Sequence, residues 1–496
     1  MRPHPRRWLI LYVLLAAEVM DLLDATIVNV AVPTIRTDLG ASASELQWIV
    51  GAYPLAVAAG LMIGARLGDL LGRQRLFVLG AAGFTAASFA CGLAPSPAAL
   101  IVFRTLQGLA AAAMIPQGFG ILRAIFPRDE LPKAFAVFGP VIGSAAIVGP
   151  IVGGGLVDLD LFGTGWRLVF YVNVPLGLAA IAGALLLIPE VRAAHARRLD
   201  PVGALLAATG MALLVFPLIQ GRDAGWPAWS FALIAAGLVL LLVFVLHQER
   251  RGRRGHDTLV DPGLFRSRGY TSGLLVLQVY FASAIGFMFT LTLFLQLGQG
   301  YSPIRSGLAL GPWALGTAVG AGLGAAVLAP RFGRAVLQIG TVVTAAGLVL
   351  LVVLVAHAGS TPYWTLVPGA LLGGLGFGFV VAPLFDVVLA AVEDRAVGSA
   401  SGILNALQQL SGAFGVALLG TLFFDALGHG RFHHALSQTL WVEAGLCLLA
   451  LALSPLLPAK PRPAEETLLL AGEEAGFGST SGRAIVERDP SVARAG

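Results

Sequence analysis

Of the 496 residues, 57% are apolar and 12% charged, and the mean hydropathy is +0.83. Soluble domains carry roughly 25% charged residues, so side chains this apolar need lipid as their solvent, and a soluble enzyme is excluded. The net charge of +5 follows from where the basic residues fall and requires no nucleic-acid partner.

Windows of about 19 residues, read for apolar runs of about 20, predict fourteen spans: 8–32, 46–66, 76–94, 98–122, 134–157, 168–189, 202–220, 229–247, 271–297, 303–328, 335–357, 364–389, 398–424 and 437–457. Most Lys and Arg lie in the N-terminal segment and in the loops on its side. The alternate loops hold only Arg36, Arg167, Arg222, Arg305 and Arg431. This positive-inside bias puts both ends of the chain in the cytoplasm of a multi-pass protein of the cell membrane. Trp8, Trp48, Trp166, Trp226, Trp229, Trp364 and Trp441 fall near span ends, as an aromatic belt would; Trp313 is the exception. The opening RPHPRR and its apolar run resemble a signal peptide, but Glu18, Asp21 and Asp24 interrupt the run, which reads as a retained first helix.

The loop 248–270 is a natural centre break, and the tail from about 458 has the Pro, Ala, Glu and Gly content of a disordered segment. LGDLLGR (67–73) after the second span and LAPRFGR (328–334) after the tenth share Leu, Gly and Arg at the same offsets. If these loops correspond, residues 1–190 form one six-helix half and 269–457 another. Residues 191–268 then add two inserted helices, and 458–496 form a cytoplasmic tail. This is the organisation of a transporter built from parallel repeats.

Ionisable residues inside a span cost several kcal/mol and mark functional candidates. Glu18, Asp21 and Asp24 step about 60° apart around the first helix, and Asn29 returns to the face of Glu18. That face must meet a bundle or cavity; a static polar seam between helices would use it equally. Arg104 lies at a depth in the fourth span within roughly 3 Å of that of Asp24, so the two can pair. A carboxylate between a dry cavity and a guanidinium binds or releases a proton when either changes, whereas a permanent ion pair would only hold the helices together. In the other half, Glu443 falls in the outer part of the last span and Asp386 near the inner end of the twelfth. Gln278, Asn405, Gln408 and Gln409 are uncharged cavity candidates that also fit inter-helix hydrogen bonds. Cys91 and Cys447 lie far apart in apolar runs and suggest neither a disulfide nor a metal site. HExxH, GxSxG and DDxxD are absent from the sequence, which argues against a membrane enzyme. No cofactor is expected.

Several runs resemble the major facilitator superfamily and, within it, the fourteen-span drug:proton antiporters. LDATIVNVAVP (23–33) looks like that family's first-helix signature, with Asp24 as its acid. ARLGDLLGRQR (65–75) is similar to its cytoplasmic loop motif through Asp69, Gly72 and Arg73, although Ala65 and Leu70 depart from it. FRTLQGLAAA (103–112) is similar to the fourth-helix motif whose arginine is linked to proton transfer. AAIVGPIVGG (145–154) looks like the antiporter motif through Gly149, Pro150, Gly153 and Gly154, with Ala145 departing. WRLVFYVNVPLG (166–177), GYSPIRSGLALGPWALG (300–316) and GSASGILNALQQLSGAFGVALLG (398–420) complete the pattern. The resemblance implies an all-α bundle of 6+2+6 helices in two pseudo-symmetric halves, working as a monomer. It implies a proton-coupled exporter of small hydrophobic or cationic compounds, with Asp24, Arg104, Asp21 and Glu18 in coupling. Asp69, Gly72 and Arg73 would form a conformational latch, and the helix-five glycines and Pro150 a hinge. Dedicated export of one metabolite, such as a self-made antibiotic, siderophore or lipid, fits the same residues.

Overall fold

The computed structural model describes residues 4–127, 130–191, 199–356, 362–393, 396–428 and 432–459; Arg431 and the tail from residue 460 lie outside them. Helices dominate: α1 (Arg7–Leu39), α2 (Ala43–Leu71), α3 (Arg73–Gly92), α4 (Pro97–Ile125), α5 (Leu131–Leu159), α6 (Gly165–Leu187), α7 (Pro201–Asp223), α8 (Ala228–Arg253), α9 (Arg268–Gly298), α10 (Pro303–Phe332), α11 (Ala335–Ala356), α12 (Tyr363–Leu389), α13 (Val397–Gly428) and α14 (Phe432–Leu456). In lipid every backbone polar group must be satisfied within the chain, and helices achieve this locally. Twelve of them are long and apolar enough to cross a membrane. Of the other two, α1 carries three acids within its span, and of α5 the part Val148–Leu159 is an apolar stretch among the described residues.

Local chemistry sets where helices start and stop. Ser42 and Glu45 form a reciprocal capping box at the start of α2, and Ser96–Pro97 and Ser302–Pro303 place a capping hydroxyl before an N-terminal proline. Gly72, at φ 104°, turns α2 into α3; a side chain there would also strike the Glu190 carboxylate.

The packing partners repeat. In the first six helices α1 packs on α5 and α6, α2 on α4, and α3 on α4 and α6. In the last six α9 packs on α13 and α14, α10 on α12, and α11 on α12 and α14. The two groups meet through α2 against α13 and α5 against α10, again equivalent pairs. The turns carrying the repeated sequence match as well: the Arg73 N–H donates to the Val191 carbonyl at 2.9 Å, and the Arg334 N–H to the Ala459 carbonyl at 3.0 Å.

The contacts between the groups draw together the helix ends farthest from the N-terminus. There Gln296 Nε2 donates to the Val30 carbonyl at 2.8 Å, the Ile304 N–H to Asp158 Oδ2 at 3.1 Å, and Gln47 Nε2 to the Val416 and Ala417 carbonyls at 3.1 Å. Helices α7 and α8 pack on each other, and α7 lies against both α2 and α13, accepting a hydrogen bond at the Leu218 carbonyl from Thr421. On the side of the N-terminus, buried Asp200 joins the start of α7 to the end of α8. Burial opposes its ionisation, but the Gly203 N–H, His247 and Gln248 together hold its carboxyl below the ordinary range. The loop that follows α8 touches both groups, through Arg66 to the Thr258 carbonyl and the Asp261 N–H to Ser399 Oγ.

Candidate functional site

Near the middle of α1, Asp24 is 1% exposed and ion-paired with Arg104, also 1% exposed. Its other oxygen accepts from Gln107 Nε2 at 2.8 Å and Asn173 Nδ2 at 2.9 Å. Arg104 and Gln107 are three apart on α4 and so share a face. Their side chains are also joined, Arg104 Nη1 donating to Gln107 Oε1 at 2.8 Å. Arg104 further donates to the Ile49 carbonyl of α2 and lies 4.4 Å from the Tyr53 ring centroid, a cation–π contact. Asn173 of α6 also donates to Ser88 of α3, whose hydroxyl donates to the Phe170 carbonyl. Every group facing Asp24 is a donor, an arrangement suited to the ionised carboxylate.

Towards the N-terminal end of α1, buried Asp21 accepts from the Tyr53 hydroxyl, and half-buried Glu18 is one turn further on. The three acids are therefore graded from one fully enclosed by donors to one without such an enclosure. Asn29 lies a turn beyond Asp24 on the other side. Its amide donates to the Ala25 carbonyl at 3.1 Å, and its own oxygen is buried without a partner among the described residues.

The α2–α3 turn is stitched to its own group: Arg73 Nη2 donates to Asp69 Oδ1 at 2.7 Å, and Arg75 pairs with Glu190 at 3.2 Å. On α5, Gly149 and Gly153 abut Thr26 and Ile27 of α1. A Cβ at Gly154 would stand 2.4 Å from the Pro303 carbonyl oxygen of α10. The motif glycines thus lie where α5 threads between α1 and α10, so close that a methyl group at Gly154 would collide with backbone.

In the second group Gln278 of α9 accepts from Ser411 of α13 at 3.1 Å. Asn405 is exposed, and Gln408 and Gln409 are half-buried, on the same helix. Among the described residues no group of three His, Cys, Asp or Glu is arranged to hold a metal.

A family model described as Major Facilitator Superfamily matches residues 14–202 and 192–416. The chain belongs to the major facilitator superfamily. It is thus a multi-pass membrane transporter of small molecules. It is 49% identical to the probable actinorhodin transporter of Streptomyces coelicolor over 86% of this chain and 74% of that one. It is 36% identical to the puromycin resistance protein of Streptomyces alboniger over 89% and 86%, and 33% identical to the cephamycin export protein of Amycolatopsis lactamdurans over 90% and 91%. Among solved structures, an auto-inhibited peptide transporter superposes with a TM-score of 0.66 at 16% identity, covering 97% of this chain and 98% of that one. At that identity the likeness speaks for the fold.

Within this superfamily fold, the structure gathers Asp24, Arg104 and Asp21 around one centre and leaves the α2–α3 turn and the α5 glycines at two separate places. It adds Tyr53, Ser88, Gln107 and Asn173, which the sequence reading did not single out. Gln107 and Asn173 lie inside the quoted runs 103–112 and 166–177, so the signal was present. Tyr53 and Ser88 lie in no such run, and only packing brings them in.

Proposed function

We propose that this transporter is a proton-coupled antiporter exporting small hydrophobic or cationic compounds, antibiotics among them, by rocking α1–α6 against α9–α14. The inserted pair α7–α8 spans residues 191–268 between the halves 1–190 and 269–457. The Lys and Arg distribution supports cytoplasmic termini in the cell membrane, and the protein works as a monomer in lipid. The helix ends drawn together are then external, and the state is closed to the outside.

The observation that carries the coupling is Asp24, fully buried and met only by donors from Arg104, Gln107 and Asn173. In this state the acid has given up its proton. Opening to the outside would draw α4 from α1, loosen the Arg104 pair and let Asp24 take a proton. Substrate leaves in that outward-open state, and closure would restore Arg104 and expel the proton inward. Asp21 and Glu18 lead from Asp24 towards the cytoplasmic end and suit the proton's exit. Asp69, Gly72 and Arg73 serve as the latch, and Gly149, Pro150, Gly153 and Gly154 seal the external end. Asn29, Gln278, Asn405, Gln408 and Gln409 are candidate cavity residues.

The test is transport by everted vesicles under an imposed pH gradient. Asp24→Asn should insert at wild-type level and lose pH-driven efflux; full efflux by that variant would sink the mechanism. A second reading, dedicated export of one antibiotic, is favoured by relatives named for single compounds such as actinorhodin and tetracenomycin. A susceptibility panel with a strain carrying the gene separates them, since a dedicated exporter protects against one chemical class.

A further inference from the structure

Glu443, on α14, is fully buried, and neither carboxyl oxygen has a hydrogen-bond partner among the described residues. It lies about 17 Å along its helix, near the middle of α14. It borders a packing gap with no room for a water molecule, lined by Tyr280, Ser283, Phe287, Trp313, Thr344, Phe377 and Cys447.

The hydroxyl donors in that wall are already committed, and neither the Trp313 indole N–H nor the Cys447 thiol reaches Glu443 with a hydrogen bond. Thr344 donates to the Gly340 carbonyl at 2.9 Å and so accepts from the Tyr280 hydroxyl at 2.7 Å, while Ser283 is bonded to Cys447. Three helices pack on α14. Of these, α9 offers Tyr280, with Tyr270 and Arg268 nearer its cytoplasmic end; α11 offers no titratable group; α13 offers Asp425 near its external end. On α14 itself the others are His433, His434 and Cys447. Apart from Glu443, no Arg, Lys, His, Asp or Glu lines the gap. A carboxylate placed there would carry an uncompensated charge, so the arrangement suits the neutral acid.

The location adds the second argument. The Asp24 centre draws its groups from α1, α2, α3, α4 and α6. The Glu443 pocket draws Tyr280, Trp313, Thr344, Phe377 and Glu443 from α9, α10, α11, α12 and α14, the counterparts of those five helices in the repeat. Trp313, the one tryptophan away from the membrane interface, is there as pocket wall.

We propose that Glu443 is a second proton-binding site, the counterpart in the C-terminal half of the Asp24 centre, and that it is loaded in the state in which Asp24 is discharged. Phe377 is its door. It is half-buried, whereas Tyr280, Phe287 and Trp313 are enclosed. When substrate displaces that ring and water enters, the O–H bond of the acid breaks, the proton passes to water, and the carboxylate remains. The proposal rests on the reading of the chain as a proton-coupled exporter.

The test uses the purified full chain. Infrared spectra at neutral pH should show the carbonyl band of a protonated carboxylic acid that is lost in Glu443→Gln and kept in Asp24→Asn. In Phe377→Ala, which keeps Glu443 but admits water, the band should disappear at neutral pH and return on acidification. This variant decides the matter if Glu443→Gln does not fold. Substrate added to protein in weak buffer should release protons from wild type and far fewer from Glu443→Gln, because Asp24 is already discharged in this state. A band unchanged in Glu443→Gln, or lost with the proton count unaltered, overturns the proposal. Failure of the wild type to move substrate under a pH gradient would instead count against proton-coupled export itself.

Discussion

Two carboxyl groups near the middle of their helices, Asp24 and Glu443, lie among corresponding sets of helices in the two halves and are accommodated in opposite ways. Asp24 meets a guanidinium and two amides, while Glu443 sits among aromatic rings, Ser283, Thr344 and Cys447 with no hydrogen bond from any described residue. A buried charge is costly unless paired, and a buried neutral acid costs only its missing hydrogen bonds. One fold thus tolerates an acid in lipid by supplying donors in one half and by withholding them in the other. The lesson is that the charge state of a membrane carboxyl is written in its neighbours, and a repeated architecture can carry both versions at once.

This contrast breaks at several points, the largest first. Arg104→Gln gives Asp24 the surroundings of Glu443, an acid without a counter-charge. Breaking a buried pair in this way costs about 3–5 kcal/mol, so thermal unfolding in detergent should fall sharply. Adding Asp24→Asn to that variant should recover part of the loss; wild-type stability of Arg104→Gln alone would mean that the pair bears little of the fold. Next, Asn173→Ala removes one hydrogen bond to a charged group and should cost about 1.5–3 kcal/mol, with slower efflux in the same vesicle assay. The smallest effect sharpens the comparison most. Glu443→Gln exchanges one neutral, unpartnered group for another and should leave stability within about 1 kcal/mol of wild type. A large gain in stability would mean that Glu443 had been an unpaired charge.

Much of this was legible in the chain. The apolar windows coincide with the helices, twelve of which are long and apolar enough to cross a membrane among the described residues, because a bilayer-spanning segment has no alternative to a long apolar run. The spacing of Glu18, Asp21 and Asp24 and the depth of Arg104 were enough to suggest the pair, since a helix converts residue number into depth. Gln107 and Asn173 were harder, because a neutral amide in a span reads as well as an ordinary inter-helix hydrogen bond. Glu443 was visible as an acid in a span. That it lacks a partner among the described residues is a statement about five helices and cannot be read from one. Cys91 read as a plain core residue, yet its thiol lies 3.7 Å from Gln107 Oε1, at the edge of the Asp24 centre.

By itself the sequence determined the membrane class, the places of the helices, the repeated turn and the acids that lipid would not tolerate. Each follows from local composition against a solvent that accepts no exposed polar backbone. Only the tertiary structure decided which helix faces which. It joined α2 to α13 and α5 to α10, gave Asp24 its three donors, and left Glu443 dry. Those outcomes depend on where side chains distant in sequence come to rest, and a span's composition carries no record of its neighbours.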